Sequence, residues 1–60
     1  MDYHEAFAYA RILADENRAE SVICSCLGVP NVYCVFLGQE SRPRGVRLVC
    51  VVPPLPSRGG

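Results

Sequence analysis

The chain has 60 residues, a formal net charge of zero, four cysteines, and apolar side chains at half of its positions. A chain of this length forms one domain at most and buries only about 60% of the surface that it exposes when unfolded, so its own core is marginal. The apolar content argues against a disordered chain, and the small size leaves little room for the concave pocket of an enzyme.

The charges are segregated along the chain. The N-terminal third is acidic, whereas residues 41–60 carry four arginines and no acidic side chain. The chain starts MDYHE, which is acidic where a signal peptide would be basic, and no apolar segment follows. We therefore expect a cytoplasmic protein whose cysteines stay reduced.

Residues 2–19 are predicted to form an amphipathic helix. Asp2 and Glu5 make a start that resembles a capping box. The end is predicted between Asn17 and Glu20, with Asn17 as a candidate for a left-handed terminating residue. The apolar stripe consists of Tyr3, Ala6, Phe7, Ala10, Leu13 and Ala14.

The polar side of this helix carries an apolar exception. Ile12 projects among the charged residues, and Tyr9 lies at the boundary. With Glu16 they follow the i, i+3, i+7 spacing by which helices bind in a partner's groove. Tyr9, Ile12 and Glu16 are therefore candidates for a helix contact, although a single exposed isoleucine is ordinary.

Three apolar segments follow the helix and have the pattern of strands: residues 21–27, 32–38 and 45–52. The turn sequence at 28–31 makes the first two strands antiparallel neighbours. The second and third segments flank a polar loop and have the pattern of a β-hairpin. The predicted fold is thus α+β, with the helix packed on a three-stranded antiparallel sheet in the order 1-2-3.

The domain is expected to occupy residues 1–52, and residues 53–60 are expected to form an extended or disordered proline-rich tail. Pro53, Pro56 and Arg58 match P-x-x-P-x-R, a pattern similar to ligands of Src-homology-type adaptor domains. The match covers six residues and is common by chance. The uncharged segment at 21–39 is interrupted by polar residues and a Pro-Asn pair, so no membrane partner is expected.

Neither face of the second and third strands is polar. One helix covers only one face of a sheet, and the other face should then alternate to polar residues. The uncovered face is therefore predicted to bind a second copy of the chain or a foreign protein, most simply as a symmetric dimer. The residues predicted for this self-association or partner face are Tyr33, Val35, Leu37, Val49 and Val51.

A four-thiolate metal site is one interpretation of the cysteines. Cys24 and Cys26 would lie on one side of a strand, and Cys34 and Cys50 on the neighbouring strands. Structural zinc usually takes C-x(2–4)-C pairs on turns, whereas this pair is C-x-C within a strand. Small buried hydrophobes account for all four positions. We predict no metal and no cofactor.

Catalytic and nucleic-acid functions have weaker support. A nucleophilic cysteine needs a base, and His4, the one histidine, lies in the first turn of the helix. Arg42, Arg44 and Arg47 form a positive patch that suits phosphate or carboxylate, but three arginines on a chain without net charge are few. A solvated loop accounts for them equally well.

The sequence therefore predicts a small, non-enzymatic interaction or regulatory protein that forms a homodimer and acts by binding and masking a partner surface. By analogy of size, such accessory proteins are often encoded by phages and other mobile elements. The alternatives are a dimeric nucleic-acid-binding protein that uses the arginine-rich loop, and a thiolate metal-binding mini-domain.

Overall fold

The computed structural model describes residues 1–56. One helix, α1 (Tyr3–Asn17), precedes three strands, β1 (Ser21–Cys26), β2 (Tyr33–Leu37) and β3 (Val46–Val52). The helix packs on the antiparallel three-stranded sheet, which confirms the predicted α+β fold, and each strand bound lies within one residue of the prediction. No helix within residues 1–56 is long and apolar enough to span a membrane.

The ends of α1 are fixed by local hydrogen bonds. The Asp2 carboxylate accepts a 2.8 Å bond from the Glu5 backbone N–H and caps the first turn. At the other end Arg18, and not Asn17, takes the left-handed conformation, with φ of 50°. Asn17 remains helical, and its side-chain amide donates to the carbonyl of Leu13 at 2.9 Å.

Small side chains let α1 approach the sheet closely. Ala6, Ala10 and Ala14 recur every four residues and are fully buried, as predicted from the stripe. The buried Ser21 hydroxyl of β1 donates to the carbonyl of Ala10 at 2.7 Å. The core cluster contains Ala6, Ala10, Ile23 and Val52, and Tyr33, Val35 and Cys50 pack against it.

The strand order is β2-β1-β3, so the predicted order 1-2-3 is wrong. Strand β1 lies in the centre and pairs with both others, and β2 and β3 do not form a hairpin. Residues 21–24 of β1 are all buried, as expected for a central strand, whereas every residue of β2 is only half-buried. Strand β3 carries Arg47, which reaches water from the sheet edge.

The connection between β2 and β3, residues 38–45, is therefore a crossover. It starts beside the N-terminal end of β1, where the Gly38 N–H donates to the Glu20 carbonyl at 2.8 Å. It ends beside the other end, where the Leu27 N–H donates to the Gly45 carbonyl at 2.8 Å. The helix occupies one face of the sheet, and Val22 and Cys24 on the other face are only 4% and 0% exposed, so the connection passes over the face opposite the helix. It covers part of the face that was expected to need a partner.

A bulge interrupts the pairing of β1 with β3. Ile23 lies opposite Cys50 and Cys24 lies opposite Leu48, which leaves Val49 as an extra residue in β3. The extra residue changes the alternation of side chains along the strand. As a result Leu48 and Val51 share the face opposite the helix, although they are three residues apart.

Candidate interaction surface

The two edges of the sheet can be distinguished from the hydrogen bonds of β1. The Cys26 N–H donates to the Val32 carbonyl at 3.1 Å, whereas the Leu27 N–H donates to the Gly45 carbonyl. Along β1, even-numbered backbone groups therefore point to β2 and odd-numbered groups to β3. It follows from the register that the outer edge of β2 consists of the backbone groups of Tyr33, Val35 and Leu37. The outer edge of β3 consists of those of Val46, Leu48 and Val51.

The outer edge of β2 is largely closed by the chain itself. The Tyr33 N–H donates to the carbonyl of Met1 at 2.9 Å. The Leu37 N–H donates to the Glu40 carboxylate at 2.8 Å. Two of the three outward N–H groups thus have partners, and the carboxylate adds a charge that opposes the approach of another strand.

The outer edge of β3 is open. Within residues 1–56, no hydrogen bond from another segment reaches the outward N–H groups of Val46, Leu48 and Val51. The large side chains along this strand are also exposed, with 50% of Leu48, 47% of Val49 and 44% of Val51 accessible. Apart from Arg47, this edge strand of seven residues is apolar, and its unsatisfied backbone groups make it a template for another strand.

The structure does not bring the five residues of the predicted association face together. Tyr33 and Val35 pack against the core cluster under the helix, and Leu37 lies opposite Ser21 on the same side. Val51 lies opposite Val22 on the other face, and Val49 occupies the bulge. The prediction failed to separate the faces because both are apolar and because a bulge leaves no mark in the hydrophobic pattern.

The helix contact candidates are placed as the sequence indicated. Tyr9 is 46% exposed, Ile12 is 55% exposed, and Glu16 is exposed as well. They lie on the side of α1 that faces away from the sheet, because the buried alanine stripe, Ala6, Ala10 and Ala14, occupies the side that contacts the sheet. This group forms a second exposed surface that is separate from β3.

The three arginines are exposed but do not form a hairpin tip. Arg42 and Arg44 lie on the crossover connection, and Arg47 lies on β3 opposite Ser25. Arg47 also lines a shallow depression of about 430 Å³ at the end of the sheet, together with residues 25–31.

The first residues of the proline-rich segment lie against the helix. Residues 53–56 have no regular secondary structure, and the Leu55 N–H donates to the Asp15 carboxylate at 2.9 Å. Pro53 and Pro56 of the predicted adaptor-ligand motif are exposed. Arg58, its third member, lies outside the described residues.

The cysteines separate into a group of three and a single residue. Cys24, Cys26 and Cys34 lie on the face opposite the helix, whereas Cys50 packs against the core under the helix. Their arrangement does not provide the four-thiolate site considered above, and within residues 1–56 no group of three or more potential ligands could hold a metal ion. The Sγ atoms of Cys26 and Cys34 are 3.4 Å apart.

The surroundings of these thiols favour their protonated form. The hydrogen bond to Cys34, with some burial, raises the pKa of Cys26. Burial raises the pKa of Cys24, and the Arg42 charge opposes part of that effect. On the helix side, burial and the neighbouring Cys50 raise the pKa of the Tyr3 hydroxyl. The closeness of Cys26 and Cys34 follows from the turn at 28–31, which fixes the register of β1 on β2.

In comparisons with known proteins, no family model, no curated protein and no solved structure matches this chain.

Proposed function

We propose that this chain is a small, non-enzymatic interaction protein that forms a homodimer through β3 and covers a partner's surface. The observation that carries the proposal is the difference between the two sheet edges. The β2 edge is closed by Met1 and Glu40, and the β3 edge is open and apolar. Such a molecule has one edge on which a strand can add.

A second copy of β3 fits this edge. Two β3 strands related by a two-fold axis run antiparallel and form one six-stranded sheet. In a register centred on the bulge, Leu48 of one copy lies across from Val51 of the other. Both residues lie on the face opposite the helix, so they would pack on each other while the backbone groups pair.

The closed β2 edge limits the size of the assembly. In the proposed dimer both remaining edges belong to β2, where Met1 and Glu40 occupy the outward N–H groups of Tyr33 and Leu37. Edge pairing therefore stops at two copies and does not continue into a filament. The dimer would present Tyr9 and Ile12 twice, on the outer sides of its helices, as the contact for a partner.

The proposal is tested by sedimentation velocity at micromolar concentration. We expect the unchanged protein to sediment as a dimer and the double variant L48K/V51K as a folded monomer, because each of the two facing pairs would then place two lysines opposite each other. I12K is the matched control, since Ile12 is as exposed as Leu48 but lies on the helix, and it should remain dimeric. A monomeric unchanged protein, or a dimer that survives L48K/V51K, would contradict the proposal.

A further inference from the structure

Three thiols lie close together on the face opposite the helix. Cys34 of β2 is the register partner of Cys24 on β1, and Cys26 lies two residues farther along β1 on the same face. The distance of 3.4 Å between Cys26 Sγ and Cys34 Sγ places the two sulfurs in direct contact. Cys34 therefore has two thiol neighbours on the adjacent strand and is in contact with Cys26.

We propose that Cys26 and Cys34 form a reversible redox dithiol, which hydrogen peroxide converts to an intramolecular disulfide. One thiol loses its proton and its thiolate attacks a peroxide oxygen; the O–O bond breaks, the sulfur becomes a sulfenic acid, and the leaving hydroxide takes up that proton to form the first water. The other thiol then attacks the sulfenic sulfur, the S–S bond forms, and a second water leaves. The two sulfurs together give up two electrons to the peroxide, and a dithiol reductant reverses the reaction.

Exposure and position select this pair among the four cysteines, because Cys50 is half-buried as well but packs on the helix side of the sheet. Cys24 has no exposed surface, whereas Cys26 and Cys34 are half-buried. Cys26 also lines the shallow depression formed by residues 25–31 and Arg47, which opens to solvent. A small oxidant in water therefore reaches the Cys26–Cys34 pair and does not reach Cys24.

The chemistry assigns different parts to the two sulfurs. The Cys26 and Cys34 sulfurs lie 3.4 Å apart, and either thiol can donate the hydrogen bond to the other. A thiol that receives such a bond is the better nucleophile, because the bond stabilises its thiolate. The sulfur that accepts the bond attacks the peroxide, and the sulfur that donates it resolves the sulfenic acid.

The position of the pair makes the disulfide reversible. Cys26 and Cys34 are diagonal neighbours, whose Cα atoms in a regular antiparallel sheet are about 7–8 Å apart. A relaxed disulfide prefers a Cα separation of about 4.4–6.8 Å, so its formation draws β1 and β2 together. The adjacent turn at 28–31 can absorb this shift. Strained disulfides are more easily reduced, which is typical of regulatory and not of structural bonds.

The experiment treats the purified full chain with hydrogen peroxide and measures its intact mass before and after dithiothreitol. Chymotryptic cleavage after Tyr33 separates Cys34 from Cys24 and Cys26. We expect a single chain, not covalently linked to a second one, that is lighter by the mass of two hydrogen atoms. Cys34 should be linked to the peptide that carries Cys26, and reduction should restore the original mass in full. Because Cys26 and Cys34 lie on β1 and β2 and the proposed dimer contact lies on β3, this result does not depend on dimerisation.

Four single variants assign the bond, and circular dichroism checks that each is folded. C24S and C50S should form the disulfide as the unchanged chain does. C26S and C34S should not form it, and the remaining thiol of the pair should instead accumulate as a sulfenic acid, which dimedone traps. A bond between Cys24 and Cys34, a bond between two chains, sulfinic acid without a disulfide, or no change in mass would overturn the proposal.

Discussion

The backbone N–H of Tyr33 donates a 2.9 Å hydrogen bond to the carbonyl of Met1, and this contact closes one end of the β2 edge. The Tyr3 ring packs edge-on against the Tyr33 ring, with centroids 5.5 Å apart, and holds the start of the helix at the same place. The Glu40 carboxylate closes the other end through Leu37. The sheet therefore has one protected and one open edge.

Replacement of Glu40 by alanine is expected to open the β2 edge. The Leu37 N–H loses its acceptor, and the charge that repels an incoming strand disappears, so the proposed dimer can grow at both ends. Light scattering after gel filtration should show species larger than a dimer, which increase with concentration. E40Q is the control, because its side-chain oxygen still accepts from Leu37, and it should assemble less than E40A. Equal assembly states for E40A and the unchanged chain would contradict this role.

The alanine stripe can be tested by one substitution at two positions. A10L forces a larger side chain between the helix and β1, where Ala10 has no exposed surface, and should destabilise the fold by about 1–3 kcal/mol. A8L makes the same change on the exposed side of the helix and should be nearly neutral. Urea unfolding followed by circular dichroism measures both. If A8L is as destabilising as A10L, the helix does not pack through Ala10.

The bond from Ser21 to Ala10 links the central strand to the helix. S21A removes the buried donor but leaves the Ala10 carbonyl with its ordinary helical partner, so the expected loss of unfolding free energy is about 1 kcal/mol. S25A changes a half-buried serine on the same strand and the same face, and it should cost less. The same unfolding measurement compares the two. A larger loss for S25A than for S21A would show that the buried bond has no stabilising role.

The raised thiol pKa values predict lower stability in alkali. The folded state holds the protons of Cys24 and Cys26 more tightly than the unfolded chain, whose thiols have the ordinary pKa of 9.0. The resulting stabilisation is fully present below 9.0 and is lost as the pH rises through the higher folded-state values. Thermal unfolding under reducing conditions should show a falling melting temperature over that interval. C26S should show a smaller fall, and an equal or larger fall would contradict the assignment to Cys26.

The local elements could be predicted from the sequence because their signals are local. Asp2 and Glu5 indicate where the helix begins, the alanines at steps of four indicate its buried side, and the turn at 28–31 fixes the pairing of β1 with β2. The exposure of Tyr9 and Ile12 followed from the same periodicity. At the end of the helix the structure differs from the prediction, because the left-handed residue is Arg18 and not Asn17.

The position of β3 could not be predicted, because it depends on long-range packing. An eight-residue connection, 38–45, is long enough for either a hairpin loop or a crossover beside β1, and the apolar pattern of β3 suits both neighbours. The bulge at Val49 reverses the alternation of side chains between the two faces of the sheet after Leu48. Residues that the prediction assigned to one face therefore lie on different faces. The candidate interaction surface is therefore the open edge of β3 and not the predicted face that includes β2.

The most direct test of the central claim is hydrogen exchange of single backbone amides, measured by NMR at several protein concentrations. We predict that the outward amides of Val46, Leu48 and Val51 exchange more slowly as concentration rises, because they pair with a second β3. The Val35 amide, which points outward from β2, should exchange at the same rate throughout. Concentration-independent exchange at Val46, Leu48 and Val51 would contradict dimerisation through β3.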